Sequence, residues 1–214
     1  MVGGSAALDA LDKFVKLGKE LAGLTALVLP QYKDAAVDLY RVCQKLLSAN
    51  ENIARWLYEF QYFDFRKASA QSDFLDLCKR YRLMKIGPER RDLKFRCGDI
   101  AAIYHRDIES KIGNWFTDQQ KLNQARSIFS ELSSADGHMI EFIDEQVLAS
   151  IDAFENEARP CAEVNKMDDA ERARLQFKTS TADITQCLEQ FSAGLSELVM
   201  TFAQIARVPV TLSS

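Results

Sequence analysis

The sequence predicts an all-α protein, an antiparallel bundle of long helices with coiled-coil-like seams. Three observations carry this expectation. Prolines number four and glycines nine among 214 residues, too few for the many turns a sheet-rich fold needs. Apolar residues recur at spacings of 3 and 4 near both ends of the chain, the period of a helix face packed at a shallow angle on another helix. No pair of alternating runs flanks an Asn-Gly or Asp-Gly turn. The length suits one domain, 1–214, which would bury roughly 70% of the surface its unfolded chain exposes. A sub-boundary is expected at 87–88, dividing 5–86 from 88–207.

Taken in order, Phe14, Leu17, Leu21, Leu24 and Val28 place a helix over about 5–29, ended by Pro30. Tyr32, Ala36, Leu39, Cys43 and Leu46 repeat the rhythm. "SANEN" is expected to break that helix, with Ser48 or Asn50 capping the next. The next helix, about 51–67, holds "RWLYEFQYFDFR". Its aromatic residues alternate as in a strand, but a lone strand would have no partner to pair with. On a helix Ile53, Trp56, Leu57, Phe60 and Phe63 gather on one side, the expected core face. Tyr58, Tyr62 and Phe65 gather opposite. Tyrosine is amphipathic and common at interfaces, so these three are the candidate contact surface.

"SAQSD" punctuates again, and Ser72 or Asp73 opens a helix with Phe74, Leu77, Cys78 and Tyr81. In "IGPERRDL", Gly87 suits a helix C′ position and Pro88 the first turn of the next helix. That helix carries Leu93, Cys97, Ile100, Tyr104, Ile108, Ile112 and Trp115. Thr117 with Gln120 makes a capping box ahead of Leu122, Ala125, Ile128, Phe129 and Leu132. "SSADG" is a turn. A helix from about Asp136 follows, with Ile140, Ile143, Val147, Ile151 and Phe154, disturbed near its end by Pro160. Asp168 or Asp169 is expected to cap the last helix, whose seam runs Ile184, Leu188, Phe191, Leu195, Leu198, Phe202, Ile205.

The cysteines number five: Cys43, Cys78, Cys97, Cys161 and Cys187. None stands in a Cys-x-x-Cys pair, so the expectation is reduced, mostly buried thiols and a cytoplasmic location. The start, "MVGGSAALDALDK", lacks the charged-then-apolar layout of a secretory signal. The apolar run "LAGLTALVLP" is half the length a bilayer span requires.

Catalytic sets are missing. The two histidines, His105 and His138, are preceded at three residues by Ala102 and Ala135, not by the glutamates of a di-iron bundle. There is no zincin, Walker A, dinucleotide or nucleophile-elbow motif. Asp136, His138 and Glu141 read as a turn and an acidic first turn, which the helix dipole favours. No catalytic residue, cofactor or metal is therefore assigned.

Charge is distributed unevenly. Lys79, Arg80, Arg82, Lys85, Arg90, Arg91, Lys94 and Arg96 face only Glu89 and Asp92 in one short segment, while the whole chain carries −4. Across 131–171, twelve acidic residues stand against Arg159 and Lys166. The basic segment suits anionic lipid or phosphate, or it pairs with the acidic region, within the chain or across a dimer. Nucleic acid is the weaker match, because the chain is acidic overall and the patch short. Long helices with a basic turn resemble BAR-type membrane modules in layout only; no residue motif carries that family.

The function expected is a non-catalytic interaction or scaffold module, self-associating or docking a protein partner. A peripheral membrane module using 79–96 is the alternative. A helical ligand carrier or enzyme with an inter-helix pocket is the third.

Overall fold

A computed structural model describes residues 33–87 and 142–207, with positions 16, 19, 20, 23, 118–120, 122–124, 126, 127 and 130 besides. All regular structure in these residues is helical, with no strand among them. The elements are α1 (Lys33–Gln61), α2 (Ala70–Ile86), a π-helical segment (Phe142–Leu148), α3 (Ala149–Glu163), α4 (Met167–Ser180) and α5 (Ala182–Ala206). The helices pack on one another as an all-α bundle. α1 lies chiefly along α5, α3 along α4, and α2 along α3. Most of the helices expected over 5–29 and 88–135, and the turns at Pro30, Pro88 and "SSADG", fall outside the described residues; the described positions in those helices are helical apart from a bend at Asp118.

Helix α1 corrects one expected boundary. "SANEN" does not break it, and the helix runs unbroken over 29 residues. The 3,4 spacing in fact continues through that stretch. Ala36, Leu39, Cys43, Leu46, Asn50, Ile53, Leu57 and Phe60 are all buried. Asn50 occupies an apolar position in this series, and its side chain is spent between helices. Its Nδ2 donates to the Leu188 carbonyl of α5 at 2.9 Å. An asparagine with such a partner loses its reason to cap or turn. Further along α1, Gln61 Nε2 donates to Thr181 Oγ1 at 2.7 Å and Thr185 Oγ1 at 2.8 Å. From Asn50 to Gln61 the partners on α5 thus retreat from Leu188 toward its start.

The end of α1 is the second correction. The helix stops at Gln61 rather than near Lys67. Arg174 of α4 donates from Nη1 to the Gln61 carbonyl at 2.5 Å, placing a cation where the helix dipole is negative. The same guanidinium grips Glu171 through two bonds of 2.7 Å. That grip holds the Glu171 carboxyl below its ordinary range. Because the helix has ended, Phe63 and Phe65 leave the chain in a turn instead of continuing two helical faces.

Those rings meet in an aromatic core shared by four helices. Phe60 stands edge-on to Phe74 of α2, Tyr81 of α2 and Phe154 of α3, at centroid distances of 6.2, 5.3 and 6.0 Å. Phe154 stacks on Phe177 of α4 at 4.7 Å. Phe65 lies 4.8 Å from both Phe63 and Phe74 and is only 3% exposed. Such edge-on geometry suits the ring quadrupole, at about 0.5–1.5 kcal/mol per pair beyond burial.

The remaining elements refine the expected punctuation. Gly87 caps α2, its N–H donating to the Met84 carbonyl at 3.2 Å. Its backbone is extended, not left-handed. Glycine is required by close approach: a Cβ there would stand 2.8 Å from the Leu83 carbonyl oxygen. The described part of the helix expected from Asp136 starts as the π-helical segment and passes directly into α3, where Pro160 sits in the last turn. Asp168 and Asp169 lie in the first turn of α4, not of the last helix. A single residue, Thr181, separates α4 from α5. Its hydroxyl donates to the Phe177 carbonyl at 2.7 Å while accepting from Gln61.

Phe60→Ala should cost about 3–5 kcal/mol, because Phe60 is fully buried and touches rings on two other helices. Urea unfolding should show a lower midpoint with an unchanged slope.

Candidate functional site

A surface groove of about 510 Å³ runs between α1 and α5. Helix geometry assembles it. Glu51, Arg55, Tyr58 and Tyr62 follow one another at spacings of 4, 3 and 4 along α1 and line one wall, with Asn50, Ala54 and Glu59 beside them. Leu188, Glu189 and Ser192 line the other. The seam below holds the two walls in register through the Asn50–Leu188 bond.

Of the three residues expected at a contact surface, two are here. Tyr62 is 61% exposed. Its ring lies 6.1 Å from the Tyr58 ring, tilted by 53°. Lys178 of α4 places its Nζ over the Tyr62 ring, 4.1 Å from the centroid. Tyr58 is half-buried and bridges the walls, its hydroxyl donating to Glu189 Oε1 at 2.8 Å. Desolvation raises the Tyr58 pKa, and the bond to Glu189 and its charge add to that, so the phenol is pushed up to about 12. Phe65 does not belong to this surface. The early end of α1 turns it into the aromatic core, against Phe63 and Phe74.

The basic segment is partly spent inside the protein. Arg80 reaches Glu59 at 3.4 Å, Arg82 Nε reaches Glu155 Oε1 at 2.5 Å, and Lys85 reaches Asp152 at 2.5 Å. Glu155 and Asp152 belong to the acidic region on α3, so Arg82 and Lys85 pair with it within the chain. Lys79 is exposed. Arg90, Arg91, Lys94 and Arg96 lie outside the described residues, as do His105 and His138.

Glu155 is a carboxylate that is only 4% exposed. Arg159, one turn on, is 4.0 Å away. The contacts are coulombic rather than directed, since neither Glu155 Oε1 nor Arg159 Nε has an aligned hydrogen-bond partner. Beside them on α2, Tyr81 donates its hydroxyl toward the Leu148 carbonyl, 3.1 Å away, and Asp152 Oδ1, 3.0 Å away. Polar contacts thus tie α2 to the junction of the π-helical segment with α3.

None of the described cysteines is in a disulfide, with Cys43, Cys78 and Cys187 buried and Cys161 half-exposed. Burial pushes Cys43 and Cys78 up to about 12, which keeps them protonated and unreactive at neutral pH. Among the described residues no group of three or more metal-ligating side chains comes together, and no helix is long and apolar enough to cross a membrane. Comparison with family models, with curated proteins and with solved structures finds no match for this chain.

The α5 wall is what sequence reasoning missed. Glu189 and Ser192 flank the seam residues Leu188 and Phe191, but nothing local marks them as facing Tyr58. The α1 wall had a legible signal in the repeat Glu51, Arg55, Tyr58, Tyr62.

Two measurements check this description. Alkaline titration by phenolate absorbance should show the Tyr58 phenol ionising near 12, and Glu189→Gln should lower that midpoint. Since the folded pKa exceeds the ordinary phenol value of 10.0, the stability from Tyr58 is complete below pH 10.0 and lost as pH rises through about 12. Arg82→Ala should destabilise by about 1–3 kcal/mol in urea, because it strips a buried carboxylate of its nearest cation. Glu155→Gln in the same background should recover part of that loss.

Proposed function

We propose that this chain is a non-catalytic helical-bundle protein that acts as an interaction or scaffold module, with the α1–α5 groove as its contact face. The observation that carries this reading is Tyr62: a large aromatic side chain, 61% exposed, at the rim of a groove with Tyr58. Tyrosine supplies contact area at low entropic cost and is enriched at interface centres. In this reading the bundle is antiparallel, α1 and α5 meet along a coiled-coil-like seam, and the protein works in the cytoplasm. A second copy of the chain and a different protein are both occupants the groove can take. Buried, protonated thiols support a reducing compartment.

A second reading, attachment to an anionic membrane surface through 79–96, has one observation in its favour. Leu83 and Ile86 stand 57% and 77% exposed beside Lys79 at the end of α2. Against it, Arg80, Arg82 and Lys85 are engaged with carboxylates of this chain, which leaves less charge for headgroups.

The test is a photo-crosslinking residue placed at position 62, with a control at the exposed Leu175 of α4. The expected result is a macromolecular adduct from position 62 that excess unmodified chain competes away. Purified chain alone reports self-association, and cell extract reports another partner. Equal or absent crosslinking from both positions would sink the reading.

A further inference from the structure

The charges around the groove narrow what it accepts. Its lining carries three carboxylates, Glu51, Glu59 and Glu189, against one guanidinium, Arg55. Arg55 is turned along its own helix, its Nη2 donating to Asn52 Oδ1 at 2.6 Å. Glu59 is shared with Arg80 at 3.4 Å. Glu51 makes no ion pair with any described residue and is exposed. Glu189 accepts the Tyr58 hydrogen bond through one oxygen, which leaves its charge in place. The groove is therefore a negative cleft with two phenol rings on its floor and rim.

Tyr62 already binds a cation. Lys178 holds its ammonium 4.1 Å from the ring centroid, well inside the reach of a cation–π contact. Lys178 is not among the residues lining the groove. An anionic or acidic occupant would meet repulsion from uncompensated carboxylates, whereas a cation would gain from both rings and charges.

We propose that the groove receives a lysine or arginine side chain carried by a segment of a partner protein, seated between the Tyr58 and Tyr62 rings and the carboxylates of Glu51 and Glu189. This rests on the reading of the chain as an interaction module and specifies the chemistry of its partner. Lys178 competes for the Tyr62 ring from within the molecule, so it sets a threshold that the incoming cation must exceed.

The experiment titrates the full, isotope-labelled chain with a short lysine-bearing peptide and with the same peptide carrying glutamate instead, followed by amide chemical shifts. The lysine peptide is expected to perturb Glu51, Tyr58, Tyr62, Glu189 and Ser192, and the glutamate peptide to leave them unmoved. Tyr62→Leu should weaken binding roughly two- to fivefold, the range of an exposed cation–π contact. Tyr62→Phe, which keeps the ring, should retain it. Lys178→Met should strengthen it, an effect that a purely structural role for Lys178 would not produce. Tyr62, Glu51 and Lys178 lie outside the buried core, so circular dichroism should be unchanged in each variant.

Equal binding of both peptides, perturbation confined to other surfaces, or no response to the lysine peptide would overturn the proposal. So would light scattering that shows the free chain already dimeric, together with crosslinking of the purified chain from position 62. Crosslinking from position 62 without lysine-peptide binding removes the cationic partner and leaves the interaction module. Lysine-peptide binding confined to the groove residues supports the proposal when position 62 also crosslinks; without that crosslinking the module reading and the proposal fall together.

Discussion

The contact between α1 and α5 is the constraint on which the rest of the described structure depends. Both helices bury a stripe at 3,4 spacing, and one position in the α1 stripe is a polar residue, Asn50, 5% exposed. A buried amide is tolerable where a partner stands ready and costly where none does. The Leu188 carbonyl is that partner. Sliding α1 by one turn would break this bond. Hydrophobic side chains alone would accept several offsets, so this one bond discriminates among them, at some expense in stability. The groove above the seam inherits its geometry from that choice.

A second polar cluster works at the other end of the same contact. Gln61, Thr181, Thr185 and Arg174 join the last residue of α1 to the α4–α5 joint. The cluster ends α1 at a defined residue, and that ending decides where the following aromatic rings go. Tyr58 and Tyr62 remain at the rim of the groove. Phe63 and Phe65, past the end, fold back over Phe74. One dense aromatic stretch is thereby divided between a surface and a core by the position of a single helix terminus.

Much of the architecture was legible in the sequence. Helical periodicity located α1, α2 and α5 and selected their buried residues, because the pattern of burial is a local property of each helix. Boundaries were less legible, for reasons specific to each. "SANEN" has turn composition, yet Asn50 is satisfied by a residue 138 positions away, and no local rule sees that partner. The end of α1 is set by Arg174, 113 positions from Gln61. Phe65 was misplaced as a direct result, since helical arithmetic was carried four residues beyond the helix. The opposite wall of the groove was invisible for the same reason: it is a product of tertiary pairing. Arg82 and Lys85 found their counter-charges in the acidic region that composition had already singled out.

Thr181 is the only residue between two helices, and its side chain is engaged on both sides. A helix turns by about 100° per residue. Inserting or deleting one residue at this joint would swing the whole of α5 by that angle, carrying Leu188 away from Asn50 and Glu189 away from Tyr58. Chain length at this point is therefore under tighter constraint than side-chain identity on the groove rim. The groove rim is free to change its chemistry by substitution, and closed to change by altered spacing.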